Sequence, residues 1–121
     1  MKRIFFVCLM MVMLICGCSS NNTNNDLISY IDAKEMIIND GAILIDVRTE
    51  DEYNDEHISG AVLLDVNNIN EDSVKNIIHT FDTEVIVYCT SGNRSSQAKT
   101  LLEGLGYTKV YDLGAMSNWE E

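Results

Sequence analysis

The chain alternates between short apolar blocks and polar, charged segments, and the length of each block separates strands from helices. Continuous apolar runs, typical of parallel strands buried on both faces, occur at 42–47, 61–64, 85–88 and, more weakly, 109–113. Helical patterns occur at 32–41, 50–55, 70–78 and 95–105. Because strands and helices take turns, the sequence predicts an α/β fold: a three-layer α/β/α sandwich around a mainly parallel sheet.

Two of the helices carry boundary signals. Asp32 followed by Glu35 has the spacing of an N-cap and its N3 acid, and Gly41 is the expected stop. In the last helix, Ser95 is the expected N-cap and Gly106 closes the segment.

A different pattern precedes these elements, at 1–17. Lys2 and Arg3 lead into an almost unbroken apolar run that ends at Gly17. The run is shorter than the ~20 apolar residues that cross a bilayer, so we expect an export signal peptide rather than the alternative, a transmembrane helix.

The end of this run, at 14–18, resembles a bacterial lipobox, in which a small residue precedes an invariant cysteine. The resemblance implies that Cys18 is lipidated and that the signal 1–17 is removed, although Cys16 is unusual there. The lipid would anchor the protein to a bacterial membrane outside the cytoplasm, in the cell envelope, whereas cleavage elsewhere would leave a secreted protein. Residues 18–25 are then the lipidated cysteine and a flexible tether, and 26–121 form one domain.

Charge narrows the range of partners. The chain has 19 acidic and 8 basic residues, and Lys2 and Arg3 would leave with the signal. The part from Cys18 onward therefore keeps all 19 acidic residues against six basic ones, a net charge of −13. Such a surface repels nucleic acid and anionic lipid headgroups, so neither is an expected partner.

Cysteine use points to reactivity. Of the four cysteines, Cys8 and Cys16 would leave with the signal and Cys18 would carry lipid, so only Cys89 remains in the domain. A lone thiol in an exported protein indicates a reactive group or an intermolecular disulfide, and an inert buried cysteine is the alternative.

The segment 85–96 carries the candidate chemistry, because it joins a buried strand to a helix through a polar loop with Cys89 at the strand's carboxyl end. Gly92 permits a tight turn whose backbone N–H groups converge, and the helix that follows aims its positive dipole end at the same point. Arg94 adds a cation. Together these features predict that the Cys89 thiol has a lowered pKa and that its sulfur is nucleophilic. The alternative is a polar loop with an incidental cysteine.

On these residues the chain resembles the rhodanese-like sulfurtransferases, across the whole domain. The loop Cys89-Thr90-Ser91-Gly92-Asn93-Arg94 is similar to their active-site loop, and further similar blocks are 44–48, 52–53, 57–61 and 114–119. The resemblance implies a rhodanese-like fold with no cofactor. It also implies that Cys89 takes sulfur from thiosulfate or a thiol persulfide, becomes a persulfide, and passes the sulfur to an acceptor such as cyanide or a thiol. The loop and Ser95 would bind the anion.

The same resemblance places supporting residues beside the loop. Asp46 and Arg48 match positions next to it, and direct contact with substrate and an ion-paired support of the sheet end both stay open. His57 is expected to be structural rather than a general base, since a thiolate that is already ionised needs none. Trp119 is expected to pack at the core or rim. The histidines, His57 and His79, form no ligand cluster with Cys89, so no metal site is predicted.

The length of the Cys89 loop and the residue that follows the cysteine bear on the predicted activity and donor. Related phosphatases and arsenate reductases have one residue more between cysteine and arginine, so that activity is disfavoured, and a catalytically idle binding or redox-sensing module is the other alternative. Thr90 replaces the basic residue that often follows the cysteine, so we expect thiosulfate to be a poorer donor than a small thiol persulfide or a persulfide-carrying protein. The oligomeric state is not predicted.

Overall fold

The computed structural model describes residues 26–120, in which four strands and four α-helices alternate. The strands are β1 (Ile43–Asp46), β2 (Val62–Leu63), β3 (Val85–Cys89) and β4 (Val110–Ala115). The α-helices are α1 (Tyr30–Asp40), α2 (Glu50–Asp55), α3 (Glu71–Lys75) and α4 (Asn93–Gly104). Short 3-10 turns follow β2 and β4, at Val66–Asn68 and Met116–Asn118.

The strands form one sheet in the order β2-β1-β3-β4, and every neighbouring pair is parallel. Two layers of buried side chains lie on its two faces. Val74 of α3 and Ala98 and Leu102 of α4 cover one face, and Ala33 of α1 packs on the other. The three-layer α/β/α sandwich expected from the sequence is confirmed.

Strand β3 is the centre of this fold. All five of its residues are buried, because β1 and β4 flank it and helices cover both of its faces. A continuous apolar run was the sequence signal for a strand in this position, and the run at 85–88 lies within β3. The end of β3 is therefore fixed by packing on all sides.

Two expected helix starts are wrong. Helix α1 begins at Tyr30, and the Ser29 hydroxyl accepts the N–H of Asp32, so Asp32 lies inside the helix and is not its N-cap. Helix α4 begins at Asn93 with Gly92 as N-cap, so Ser95 lies in the first turn. In both places the cap precedes the expected one by three residues, because a polar residue in the first turn resembles a cap in the sequence.

The predicted signal at 1–17 and the lipidated Cys18 with its tether at 18–25 lie outside the described residues and stay predictions. Within 26–120, no helix combines the length and hydrophobicity needed to cross a membrane.

Candidate active site

The candidate site lies where the direction of chain connections changes in the sheet. From β1 the chain passes to the edge strand β2, then crosses to β3 on the other side of β1. Loops leaving the carboxyl ends of β1 and β3 therefore diverge and leave a crevice between them. Asp46 ends β1 and Cys89 ends β3, so the structure places both at the carboxyl edge of the sheet, where these loops diverge.

Backbone N–H groups at the start of α4 converge on the Cys89 sulfur. The Gly92 N–H lies 3.0 Å from Sγ and the Ser95 N–H lies 3.3 Å from it. The first N–H groups of a helix lack partners within the helix, and a polar side chain at the N-cap normally accepts one of them. Gly92 has no side chain to do this, so the Cys89 sulfur serves as the acceptor.

Glycine is required at position 92 by the backbone. Gly92 has φ of +101°, in the left-handed region that side chains with a Cβ rarely adopt. This conformation turns the chain out of β3 and brings its own N–H back to the sulfur. The loop geometry predicted from the glycine thus has a specific consequence, the contact with Sγ.

The Cys89 thiol has a lowered pKa. Burial alone would raise the pKa, but hydrogen bonds from the Ser95 side chain and from the backbone N–H groups of Ser95, Gly92 and Ser91 outweigh it. The Ser95 hydroxyl also lies 3.1 Å from the Gly92 carbonyl oxygen. Because a hydroxyl has one proton to donate, we expect it to turn from this carbonyl to the sulfur as the thiolate forms.

The Arg94 side chain pairs with a carboxylate of another helix. Its guanidinium forms a two-point ion pair with Glu52 of α2, with Nη1–Oε1 and Nη2–Oε2 distances of 2.6 and 3.0 Å. Thr90 closes the group: its Oγ1 lies 3.2 Å from Glu52 Oε2 and 3.3 Å from Arg94 Nη2. The arginine hydrogen bonds hold the pKa of the Glu52 carboxyl well below its usual range.

Asp46 and Arg48 form a buried ion pair at the carboxyl end of β1. Arg48 donates to the fully buried Asp46 carboxylate through Nε and Nη2, the latter at 2.7 Å, and also to the Glu56 carbonyl. The Tyr88 hydroxyl donates to Asp46 Oδ2 at 2.7 Å and accepts the Ile58 N–H at 3.1 Å. Of the two roles left open by the sequence, this geometry favours support of the sheet end.

His57 and Trp119 lie in packing positions. The exposed His57 ring stacks on Tyr53 with centroids 3.7 Å apart, and its Nδ1 lies 2.8 Å from the Tyr53 carbonyl oxygen. Trp119 meets Tyr30 edge-on at 4.9 Å. Within 26–120 the structure contains no cluster of three His, Cys, Asp or Glu side chains suited to a metal ion.

Two residues of this arrangement were not among the predicted site residues. Glu52 had a signal, because Thr49 and Glu52 have the spacing of a capping box, and the structure contains that box at the start of α2. The signal gives no indication of the contact with Arg94. Tyr88 had none, because an aromatic residue in an apolar strand looks like core, and only the fold brings its hydroxyl to Asp46.

Comparison with known proteins finds one family. The family model described as "Rhodanese-like domain" matches residues 29–121. The thiosulfate sulfurtransferase PspE of Escherichia coli is 36% identical over 74 residues, which cover 61% of this chain and 70% of that protein. The thiosulfate sulfurtransferase GlpE of Coxiella burnetii is 32% identical over 94 residues, which cover 77% of this chain and 85% of that protein.

Solved structures agree on the fold. A rhodanese from E. coli, solved with anions, superposes with a TM-score of 0.60 and 32% identity, over 64% of this chain and 89% of that one. The human single-domain sulfurtransferase TSTD1 gives a TM-score of 0.65 over 77% of this chain and 93% of that one. Its identity is 24%, so this second likeness shows the fold alone.

Removing the Ser95 hydroxyl should make the Cys89 thiol harder to ionise. In Ser95→Ala the backbone N–H stays and one donor to the thiolate is lost, so the Cys89 pKa should rise. Alkylation of the Cys89 peptide, followed by mass spectrometry, should be roughly tenfold slower at neutral pH, as expected for one hydrogen bond to an anion. Ser91→Ala is the control, since Ser91 contributes its backbone N–H; equal pH profiles for the two variants would contradict the assignment.

Removing the Tyr88 hydroxyl should destabilise the fold. Tyr88→Phe leaves the buried Ile58 N–H without its acceptor and removes one donor to Asp46 Oδ2, which keeps its hydrogen bonds from Arg48, so the free energy of unfolding should fall by about 2 kcal/mol. Urea denaturation measures it. Tyr53→Phe is the matched control, because the Tyr53 hydroxyl makes one hydrogen bond, to the Ala61 carbonyl, at a half-buried position. An equal loss in both variants would show that the Asp46 network adds nothing.

Proposed function

The chain belongs to the rhodanese-like domain family, and on that basis we propose that it is a sulfurtransferase that carries sulfane sulfur as a persulfide on Cys89. The observation that carries the proposal is the convergence of the Gly92 and Ser95 N–H groups on Sγ, with the lowered pKa of the thiol. The similarity to two proteins named thiosulfate sulfurtransferases supports the same activity.

In the proposed reaction the Cys89 thiolate attacks the outer sulfur of a donor. A new S–S bond forms on Cys89, the S–S bond of the donor breaks, and the leaving group departs with the electron pair, as sulfite from thiosulfate or as a thiolate from a thiol persulfide. The loop N–H groups then stabilise the negative charge of the terminal sulfur. An acceptor such as cyanide or a thiol takes that sulfur and restores the thiolate.

The geometry gives a reason to prefer sulfur transfer to phosphoryl or arsenate chemistry. An oxyanion cradle needs the forked donors of its arginine to face the ligand. Here both terminal nitrogens of Arg94 are engaged by Glu52, and the donors that face Sγ are backbone N–H groups. The loop has four residues between Cys89 and Arg94, one fewer than in the related phosphatases and arsenate reductases, and this length also favours sulfur transfer.

Detection of a persulfide on Cys89 tests the proposal directly. After incubation with thiosulfate or cysteine persulfide, mass spectrometry of the peptide containing Cys89 should show one added sulfur atom, and cyanide should remove it as thiocyanate. Cys89→Ser is the control and should stay unmodified at this peptide. No added sulfur from any donor, or hydrolysis of a phosphate ester instead, would overturn the proposal.

We propose further that Cys18 carries lipid and holds the domain in the cell envelope, an inference supported by the lipobox-like residues at 14–18. Two acyl chains bind a membrane stably where one does not. In a bacterial host that processes lipoproteins, the chain should sediment with membranes and incorporate labelled palmitate at Cys18. Cys18→Ser should lose the label, and persistence of the label in that variant would refute lipidation at this residue.

A further inference from the structure

Glu52 makes contacts beyond its part in the capping box at the start of α2. It lies in the first turn of α2, where its Oε1 accepts the Thr49 backbone N–H at 3.1 Å and its own N–H is accepted by the Thr49 hydroxyl at 3.3 Å. The same carboxylate holds both terminal nitrogens of Arg94 and contacts the Thr90 hydroxyl. Two residues of the Cys89 loop are thus tied to a carboxylate that another helix fixes in place.

The charge at this edge of the sheet is accordingly balanced. Arg94 is close enough to Cys89 for their charges to interact, but Glu52 offsets its field and occupies its forked donors. Arg48 is offset in the same way by Asp46. What remains to attract an anion to the sulfur is the set of neutral loop N–H groups, which bind one terminal sulfur and carry no net charge.

We propose that Glu52 is a specificity-determining residue, which makes the site favour sulfur donors of low negative charge over dianionic donors. The inference rests on the proposed sulfurtransferase function and names its substrate class. A thiosulfate dianion near the loop meets a carboxylate held beside Arg94, and the repulsion grows in proportion to the charge of the donor. Thr90 is uncharged and supplies no compensating cation, and its hydroxyl contacts the same carboxylate.

Two sulfur donors that react in the same way but differ in charge can show the effect of donor charge. Thiosulfate is a dianion, and methanethiosulfonate is a monoanion in which a methyl group replaces one oxygen. With either donor, the Cys89 thiolate bonds to the outer sulfur and the donor S–S bond breaks. Sulfite or methanesulfinate leaves with the electron pair, and cyanide then removes the sulfur as thiocyanate. Both reactions therefore have one readout.

The test is Glu52→Gln in the full chain. Glutamine also serves at the third position of a capping box, so α2 keeps its start while the negative charge is lost. We expect kcat/KM for thiosulfate to rise about tenfold and that for methanethiosulfonate about threefold, because the logarithm of the effect scales with donor charge. Added salt should reduce the difference in kcat/KM between Glu52→Gln and the unaltered chain, because it screens the charge of Glu52. The ratio of the two donors is internal to each sample, so a reduced folded fraction does not alter it.

Glu50→Gln is the matched control, because it removes a charge from the same turn of α2 at an exposed residue. Its ratio of kcat/KM for the two donors should equal that of the unaltered chain. If thiocyanate forms with both donors and Glu52→Gln leaves their ratio where Glu50→Gln leaves it, the inference is overturned and the sulfurtransferase function stands. If neither donor gives thiocyanate and Cys89 takes up no sulfur, the proposed function fails and the inference fails with it.

Discussion

The N–H groups at the start of α4 converge on one sulfur atom, and both the start of the helix and the chemistry of the thiol depend on that contact. A helix whose N-cap is a glycine has first-turn N–H groups without partners in the helix and no N-cap side chain to accept them. Cys89 ends the preceding strand and supplies the acceptor. A thiolate accepts such hydrogen bonds more strongly than a thiol, so the same contact that caps the helix favours ionisation.

The rest of the fold fixes the position of β3 relative to α4. Strand β3 is buried along its whole length, and Ala98 and Leu102 pack α4 against the same face that contains Cys89. On the opposite face, Tyr88 connects β3 to the buried Asp46 at the end of β1. The sulfur is therefore held by a rigid strand while the donors are held by a packed helix. The loop between them has little freedom to separate them.

The alternation of strands and helices, the parallel sheet and the position of Cys89 could be predicted from the sequence, because each depends on local patterns of apolar residues. Helix starts were harder, since Asp32 and Ser95 are polar residues in first turns and resemble caps. The Glu52 contact with Arg94 could not be predicted, because 42 residues separate the partners and only the docking of α2 beside the loop brings them together.

Electrostatically, the site relies on dipoles rather than on free charge. Both arginines at this edge are paired with carboxylates, in a chain whose overall charge is strongly negative.

The most direct test of the hydrogen bonds to Cys89 Sγ is a pH titration of the Gly92 and Ser95 amide signals by proton–nitrogen NMR. Both signals should move together, with a midpoint below the pKa of Cys89 in the urea-unfolded chain, and should stay still in Cys89→Ser. Signals that do not move, or a midpoint equal to that of the unfolded chain, would contradict the convergence of these N–H groups on a readily ionised sulfur.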